Sequence, residues 1–298
     1  MGFDATGGKP FKSDQDGAVW YAVVGVVVII AFAAAFIGPK LLGGGSTATI
    51  EKLVKGRSVP EAAGLINAYG FKDPQTQTFL SRLQSMDSTA HAELLTDMAR
   101  AALKGADRQQ LASMLVDWSQ NYTMVNAEYL RHSDPRYIDK MLPLARGALT
   151  AMNRTDASLC ELDKMMRIGG DPDLMHNYTR YGGPLYNITM EGNSLLVGMV
   201  SNGRKRLESG ESETAFAEAE NVTEADKKAV AAAMMSLMGD PDVQTLMMGA
   251  QSGAGGMPEN VNVCSIGSNI LGKFEGLDPD VRQRIWTSVL SGKMDAMS

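Results

Sequence analysis

The sequence predicts an all-α protein in which one N-terminal transmembrane helix precedes a globular domain built as an irregular stack of helices. Three observations support this fold class. Residues 18–37 contain no charged side chain, Asp-Pro pairs recur along the remaining chain, and apolar residues between those pairs return at helical spacing. Sustained strand-like alternation is missing from the sequence apart from the short stretch 261–266.

The first 49 residues divide into three predicted segments. Twenty helical residues with a rise of about 1.5 Å each cover about 30 Å, which matches the hydrocarbon core of a bilayer. Trp20 and Tyr21 stand where an interfacial aromatic belt would place them, and Pro39 followed by Gly43–Gly45 indicates a helix stop and a flexible tether. The predicted segments are a polar tail at 1–17, a transmembrane helix at 18–38 with lipid contact through 18–37, and a Gly-rich tether at 39–49.

An alternative for the apolar run is a cleaved secretory signal, since Ala33–Ala35 resembles a small-residue cleavage site. Asp14 and Asp16 crowd the run, which is also longer than a typical signal, and both features favour a retained anchor.

Residues 50–298 are predicted to form one all-helical domain, with a possible subdivision near 209–222 where the chain becomes acidic. An Asp side chain caps the free N–H groups of a first helical turn, and Pro at the next position has a preset φ. About 250 residues bury a sufficient core without a cofactor, and none is expected. The predicted helix starts are Asp73-Pro74, Asp134-Pro135, Asp171-Pro172, Asp240-Pro241 and Asp278-Pro279.

Cys160 and Cys264 are the only two cysteines, and an even pair favours one disulfide in an oxidising compartment. Two unrelated buried thiols are the alternative. We therefore expect a bacterial inner-membrane protein with its large domain in the periplasm. The Lys and Arg residues that follow the span favour the opposite, cytoplasmic placement, although long domains translocate largely regardless of charge.

The twenty methionines raise a copper hypothesis, because thioether sulfur is a soft ligand for Cu(I). Met234, Met235 and Met238 lie on nearby turns of one predicted helix, although methionine also fills apolar cores. The three histidines are widely separated and form no zinc or iron motif. Core packing is the preferred interpretation.

Two motifs suggest enzymatic chemistry. Residues 267–273 match the G-x-x-x-x-G-K frame of a phosphate-binding loop, but Phe274 follows where Ser or Thr is required. Glu208-Ser209-Gly210 and the later Gly-Ala-Gly-Gly-Met at 253–257 resemble elements of lytic transglycosylases, although those elements lie closer together in that family. The resemblance implies a helical enzyme that cleaves peptidoglycan with Glu208 as its catalytic acid.

A protein-contact surface is predicted at 176–187, where Tyr178, Arg180, Tyr181 and Tyr186 surround a Gly-Gly-Pro turn. Packing of these tyrosines on neighbouring helices is the alternative. Nucleic acid is an unsuitable partner for a chain with 34 acidic and 28 basic residues.

The expected function is therefore that of a membrane-anchored structural or accessory subunit of a larger membrane or envelope assembly, with partner proteins bound by the helical domain. The alternatives are a membrane-bound enzyme that lyses the cell wall and a methionine-based periplasmic copper handler.

Overall fold

A computed structural model describes residues 48–161, 164–165, 178–218, 222–245 and 261–291. Within these ranges the chain is helical, and the only β contact is an isolated antiparallel bridge between Glu161 and Asn262. The all-α prediction is confirmed. No helix in the described ranges is both long and apolar enough to cross a bilayer, and the predicted span at 18–37 lies outside those ranges.

Twelve α-helices can be delimited in the described ranges, and two short 3₁₀ helices at Ala157–Cys160 and Ser236–Gly239 join them. Residues 241–245 are also helical. The α-helices are α1 (Ala48–Val54), α2 (Val59–Tyr69), α3 (Pro74–Met86), α4 (Ser88–Leu103), α5 (Arg108–Val125), α6 (Ala127–Arg131), α7 (Arg136–Thr155), α8 (Tyr186–Glu208), α9 (Glu211–Glu218), α10 (Glu224–Met235), α11 (Val263–Glu275) and α12 (Pro279–Ser291).

The Asp-Pro pairs mark helix starts as predicted wherever the structure describes them. The Asp73 carboxylate accepts a hydrogen bond from the Thr76 backbone N–H at 2.7 Å and caps α3. Asp134, Asp240 and Asp278 each accept from the backbone N–H two residues later, at 2.8 to 2.9 Å. Asp171-Pro172 lies outside the described residues.

The buried apolar residues form two clusters. The N-terminal core cluster consists of buried side chains from α1 to α6 and from α8, between Ile50 and Leu130 and between Tyr186 and Val200. The C-terminal core cluster consists of buried side chains between Leu142 and Cys160 and between Val222 and Trp286, together with Leu185. Leu185 and Tyr186 are adjacent in the chain but belong to different clusters.

The predicted disulfide is present in the C-terminal core cluster. Cys160 and Cys264 are bonded across a sequence separation of 104, with a Cα–Cα distance of 5.2 Å. Both residues are buried, at 0% and 1% exposure. Next to them, the Asn262 side-chain amide donates to the Asn153 side-chain oxygen at 2.9 Å. These contacts connect the end of α7 to the start of α11.

Two further expectations concern the C-terminal half. The strand-like reading of 261–266 is wrong, because α11 begins at Val263. Asn262 caps this helix by accepting from the Ser265 backbone N–H at 2.9 Å, and burial of Cys264 and Ile266 stabilises it despite β-branched residues. The segment of the possible subdivision contains α9, which contacts α8; the subdivision itself stays a prediction.

Helices α6 and α8 cross with their backbones in contact at Gly203. A Cβ atom built on Gly203 would overlap the Tyr129 carbonyl oxygen of α6. Only glycine therefore permits this crossing without a displacement of one helix.

Candidate functional site

Residues 178–185 of the predicted contact segment include a tight turn before α8, and residues 176–177 lie outside the described residues. Gly182 has a φ of +75°, and a Cβ atom on Gly183 would lie 2.5 Å from the Tyr178 carbonyl oxygen. That carbonyl accepts a hydrogen bond from the Leu185 backbone N–H at 3.0 Å. Both glycines are required by this backbone path, which fixes the side chains on either side of it.

The turn distributes its tyrosines over both core clusters. Tyr178 packs against the C-terminal core cluster, where burial and the nearby Asp156 raise its pKa. Tyr186 is only 1% exposed in the N-terminal core cluster, and its hydroxyl lies 2.8 Å from the Thr76 hydroxyl. Burial raises the pKa of Tyr186 well above its usual range. Tyr186 therefore offers almost no area to a partner, in contrast to Arg180, which is exposed.

Tyr181 is half-buried where four segments of the chain meet. Its ring lies edge-to-face with Phe71 at 5.7 Å and with Tyr186 at 5.1 Å between centroids. The guanidinium carbon of Arg108 stands 5.6 Å from the ring centroid, in range for a cation–π interaction. The Lys72 backbone nitrogen is 3.5 Å from the Tyr181 hydroxyl.

These contacts bring Arg108 and the Lys72 backbone to Tyr181, and we define the Tyr181 surface as these three residues with two exposed chain neighbours, Arg180 beside Tyr181 and Tyr69 beside Gly70. Tyr69 is 64% exposed, Lys72 and Arg180 are exposed, and Arg108 is half-buried. Arg108 Nε donates to the Gly70 carbonyl at 2.8 Å, which holds its guanidinium beside the ring. The surface combines two aromatic side chains with three cations.

The acidic residues beside this surface are occupied by helix capping. The Asp73 carboxylate accepts a hydrogen bond from the Thr76 backbone N–H, and the Asp107 carboxylate accepts one from the Gln110 backbone N–H at 2.8 Å. Asp107 is only 4% exposed. Their charges compensate the N-terminal dipoles of α3 and α5. The groups that reach solvent here are therefore mostly the aromatic rings and the cations.

Sequence reasoning predicted Arg180 and Tyr181 but missed Tyr69, Lys72 and Arg108. The missed residues precede Tyr181 by about 70 to 110 positions in a sequence without a repeat that would relate them. The pattern of side chains within one segment does not predict contacts with residues so far away in the sequence.

In the basic sequence Arg204-Lys205-Arg206, Lys205 is exposed, whereas Arg204 makes contacts inside the molecule. Arg204 lies 3.8 Å from the Asp87 carboxylate, donates to the Asn126 side chain at 3.2 Å and covers the Tyr129 ring at 5.0 Å. The Asp87 carboxylate also accepts a hydrogen bond from the Tyr122 hydroxyl at 3.1 Å. Burial of Tyr122 and the negative charge of Asp87 raise the pKa of Tyr122 to about 12. This cluster joins α4, α5, α6 and α8.

The enzyme motifs gain no supporting geometry. Residues 267–273 lie inside α11, where the backbone N–H groups belong to the helix and cannot surround a phosphate. Glu208 ends α8 with an exposed side chain, whereas a catalytic acid needs an environment that raises its pKa. Its proposed companion element at 253–257 lies outside the described residues.

An open polar cavity of about 590 Å³ lies between α7, α11 and the segment around Asp240. Arg146 in its wall is paired with Glu275 at 2.7 Å, and Asp240 accepts from the Asn269 amide at 2.9 Å. Lys273 is exposed at its edge. The described lining includes neither histidine nor cysteine.

The methionines of the copper hypothesis differ in their burial. Met234 packs against the C-terminal core cluster, while Met235 and Met238 are 71% and 45% exposed. Among the described residues, no group of three His, Cys, Asp or Glu side chains is placed to hold a metal ion.

Comparison with protein-family models, with curated proteins and with solved structures found no match to this chain.

Proposed function

We propose that this chain is a membrane-anchored accessory subunit of a membrane or envelope assembly and that its helical domain binds a partner protein. The observation that carries the proposal is the Tyr181 surface. Tyrosine and arginine dominate the energetics of protein interfaces because they combine large contact area with directional hydrogen bonds.

Two other observations support the proposal. The buried disulfide fits a domain that matures in an oxidising compartment, which agrees with a periplasmic position. The apolar run at 18–37 supplies the predicted anchor. Glu208 is exposed, and Met235 and Met238 are exposed while Met234 packs against the C-terminal core cluster, so these residues give the lytic and the copper alternatives no specific support.

The test is crosslinking of the full-length protein after extraction from native membranes in mild detergent. We expect one or more protein partners at stoichiometric yield, and we expect Arg180→Ala to reduce that yield without a change in melting temperature. Arg180 is a better probe than Tyr181, because Tyr181 also packs against Phe71 and Tyr186.

Lys228→Ala is the matched control, since Lys228 is exposed on α10 in the other half of the molecule. A protein recovered without any stoichiometric partner would contradict the accessory role. Recovery of the partner with the cysteines reduced and accessible in the native state would contradict the periplasmic placement.

A further inference from the structure

We infer that the Tyr181 surface binds an acidic segment of the partner protein, so that carboxylates of the partner meet Lys72, Arg108 and Arg180 around the Tyr181 ring. This inference rests on the proposed function and adds the chemistry of the partner. It depends on three properties of the surface, which are its charge, its preorganised arginine and its contrast with the rest of the chain.

The first property is the local charge. Lys72 and Arg180 are exposed and have no ionic partner within the described part of the chain. The neighbouring Asp73 and Asp107 are directed to backbone N–H groups of α3 and α5. An approaching carboxylate therefore meets cations that are not already neutralised by an ion pair.

The second property is the position of Arg108. Its Nε is held by the Gly70 carbonyl at 2.8 Å, and its guanidinium lies 5.6 Å from the centre of the Tyr181 ring. Because the side chain is already ordered, little rotamer entropy is lost when its remaining N–H groups bind a carboxylate. A guanidinium fork suits a carboxylate better than a lysine ammonium does.

The third property is the contrast with the whole chain, whose formal net charge is −6. Long-range electrostatics alone would direct this protein toward cationic partners. A basic aromatic surface on an acidic protein restricts where and in which orientation an acidic partner binds. Electrostatic complementarity of this kind determines specificity and association rate more than affinity.

The test is a titration of the full-length protein in mild detergent with a fluorescent poly-glutamate peptide and with a poly-lysine peptide of equal length. We expect Lys72→Glu/Arg180→Glu to weaken poly-glutamate binding about tenfold, which corresponds to the loss of two modest ion-pair contributions. We also expect the binding of the unmodified protein to fall with added salt.

The matched control is Lys205→Glu/Lys228→Glu, which changes the net charge equally. Lys205 lies 19 residues after Tyr186 on α8 and therefore about 28 Å away along the helix. Both reversed side chains in the test variant are exposed, so its melting temperature should equal that of the control.

Equal weakening by both double variants, or a preference of the unmodified protein for poly-lysine, would overturn the inference. Displacement of the peptide by phosphatidylglycerol added to the micelles would overturn it in favour of an anionic lipid surface. If the test variant still crosslinks to its partner in full, the accessory role holds and this assignment of the surface fails. If no partner is recovered but the peptide binds as expected, the proposed function fails by itself.

Discussion

The two core clusters are stabilised by different interactions. The N-terminal core cluster is mainly apolar, with side chains such as Phe79, Leu83 and Met98 fully buried. The C-terminal core cluster contains fewer buried apolar residues among those described, and it adds a disulfide and an ion pair whose Asp226 carboxylate is buried. The comparison shows how one chain uses crosslinks where apolar burial is smaller.

Two ionic contacts connect α12 to the rest of the C-terminal core cluster. Arg284 donates to both carboxylate oxygens of Asp226 on α10, at 2.6 and 2.8 Å, and the Asp226 side chain is only 2% exposed. On the other side, the Asp139 carboxylate of α7 accepts from Arg282 Nε at 3.0 Å and from Trp286 Nε1 at 2.9 Å. The last described helix is therefore bonded to two earlier helices.

The disulfide of the C-terminal core cluster closes a long loop of the chain. The C-terminal core cluster joins the end of α7 to α11, and the two cysteines that connect them are 104 positions apart. Closing such a loop during folding costs chain entropy. A disulfide lowers the entropy of the unfolded chain, so less entropy is lost when the protein folds. The N-terminal core cluster also joins distant segments, since α3 packs against α8 and the Thr76 hydroxyl lies 2.8 Å from the Tyr186 hydroxyl across 110 positions, but no disulfide crosslinks these helices.

The largest effect is expected from removal of the disulfide. Cys160→Ala/Cys264→Ala should lower the free energy of unfolding of the C-terminal core cluster by about 4 to 5 kcal/mol, as chain entropy predicts for a loop of this length. Hydrogen exchange should accelerate in α7, α11 and α12 and remain slow in α2 to α5. Equal acceleration of hydrogen exchange in both clusters would show that they unfold as one unit. It would contradict the view that the two clusters are stabilised separately.

A somewhat smaller effect is expected from Arg284→Met at pH 7. The substitution removes the ionic partner of the buried Asp226 carboxylate, which keeps the hydrogen bond from the Thr223 backbone N–H, and such a change costs about 3 kcal/mol. Denaturant unfolding measures the loss. Lys228→Met, an exposed substitution on α10, is the control, and Asp226→Asn/Arg284→Met should recover part of the loss because the buried charge is then absent.

The same variant has a defined pH dependence. Hydrogen bonds from Arg284 hold the pKa of Asp226 far below its usual range in the folded protein. Asp226 therefore contributes its full stabilisation of the folded state at pH values above the pKa of an unfolded-chain Asp, which is about 4. This contribution is lost progressively as the pH falls below that value. In Arg284→Met, burial favours the protonated carboxyl instead. The difference in stability between the unmodified protein and the variant should therefore shrink between pH 7 and pH 3, and a constant difference would contradict this origin.

The smallest effect is expected in the N-terminal core cluster, from Tyr186→Phe. The change removes one hydroxyl from a buried pair and leaves the Thr76 hydroxyl unpaired at 0% exposure, at a cost of about 1 to 2 kcal/mol. Thermal or denaturant unfolding provides the measurement. Thr76→Val/Tyr186→Phe removes both partners and should cost less than the single change; a larger cost would indicate that packing, rather than hydrogen bonding, is altered.

The sequence predicted the secondary structure better than the contacts between distant segments. Asp73, Asp134 and Asp278 act through backbone groups within three residues, so their role follows from local chemistry. The Cys160–Cys264 pair was predictable because two cysteines leave only one intramolecular pairing. The strand prediction for 261–266 was wrong because helix capping and burial outweigh the strand preference of the valines in this stretch.

The candidate site was only partly predictable for the same reason. Arg180 and Tyr181 lie within one short segment, and their residue types indicate a contact surface. Their neighbours Lys72 and Arg108 arrive through the packing of α2, α3 and α5, and Tyr186 turns inward because it begins a buried helix.

The glycine at the crossing of α6 and α8 has a consequence for the far end of α8. A methyl group on Gly203 would force the two backbones apart, since the Tyr129 carbonyl occupies its place. Helix α8 is continuous from Tyr186 to Glu208, so a shift at Gly203 would be transmitted like the tilt of a stiff rod over about 25 Å. The position of Tyr186, whose ring supports that of Tyr181, thus depends on the absence of a side chain at a residue about 25 Å away along α8.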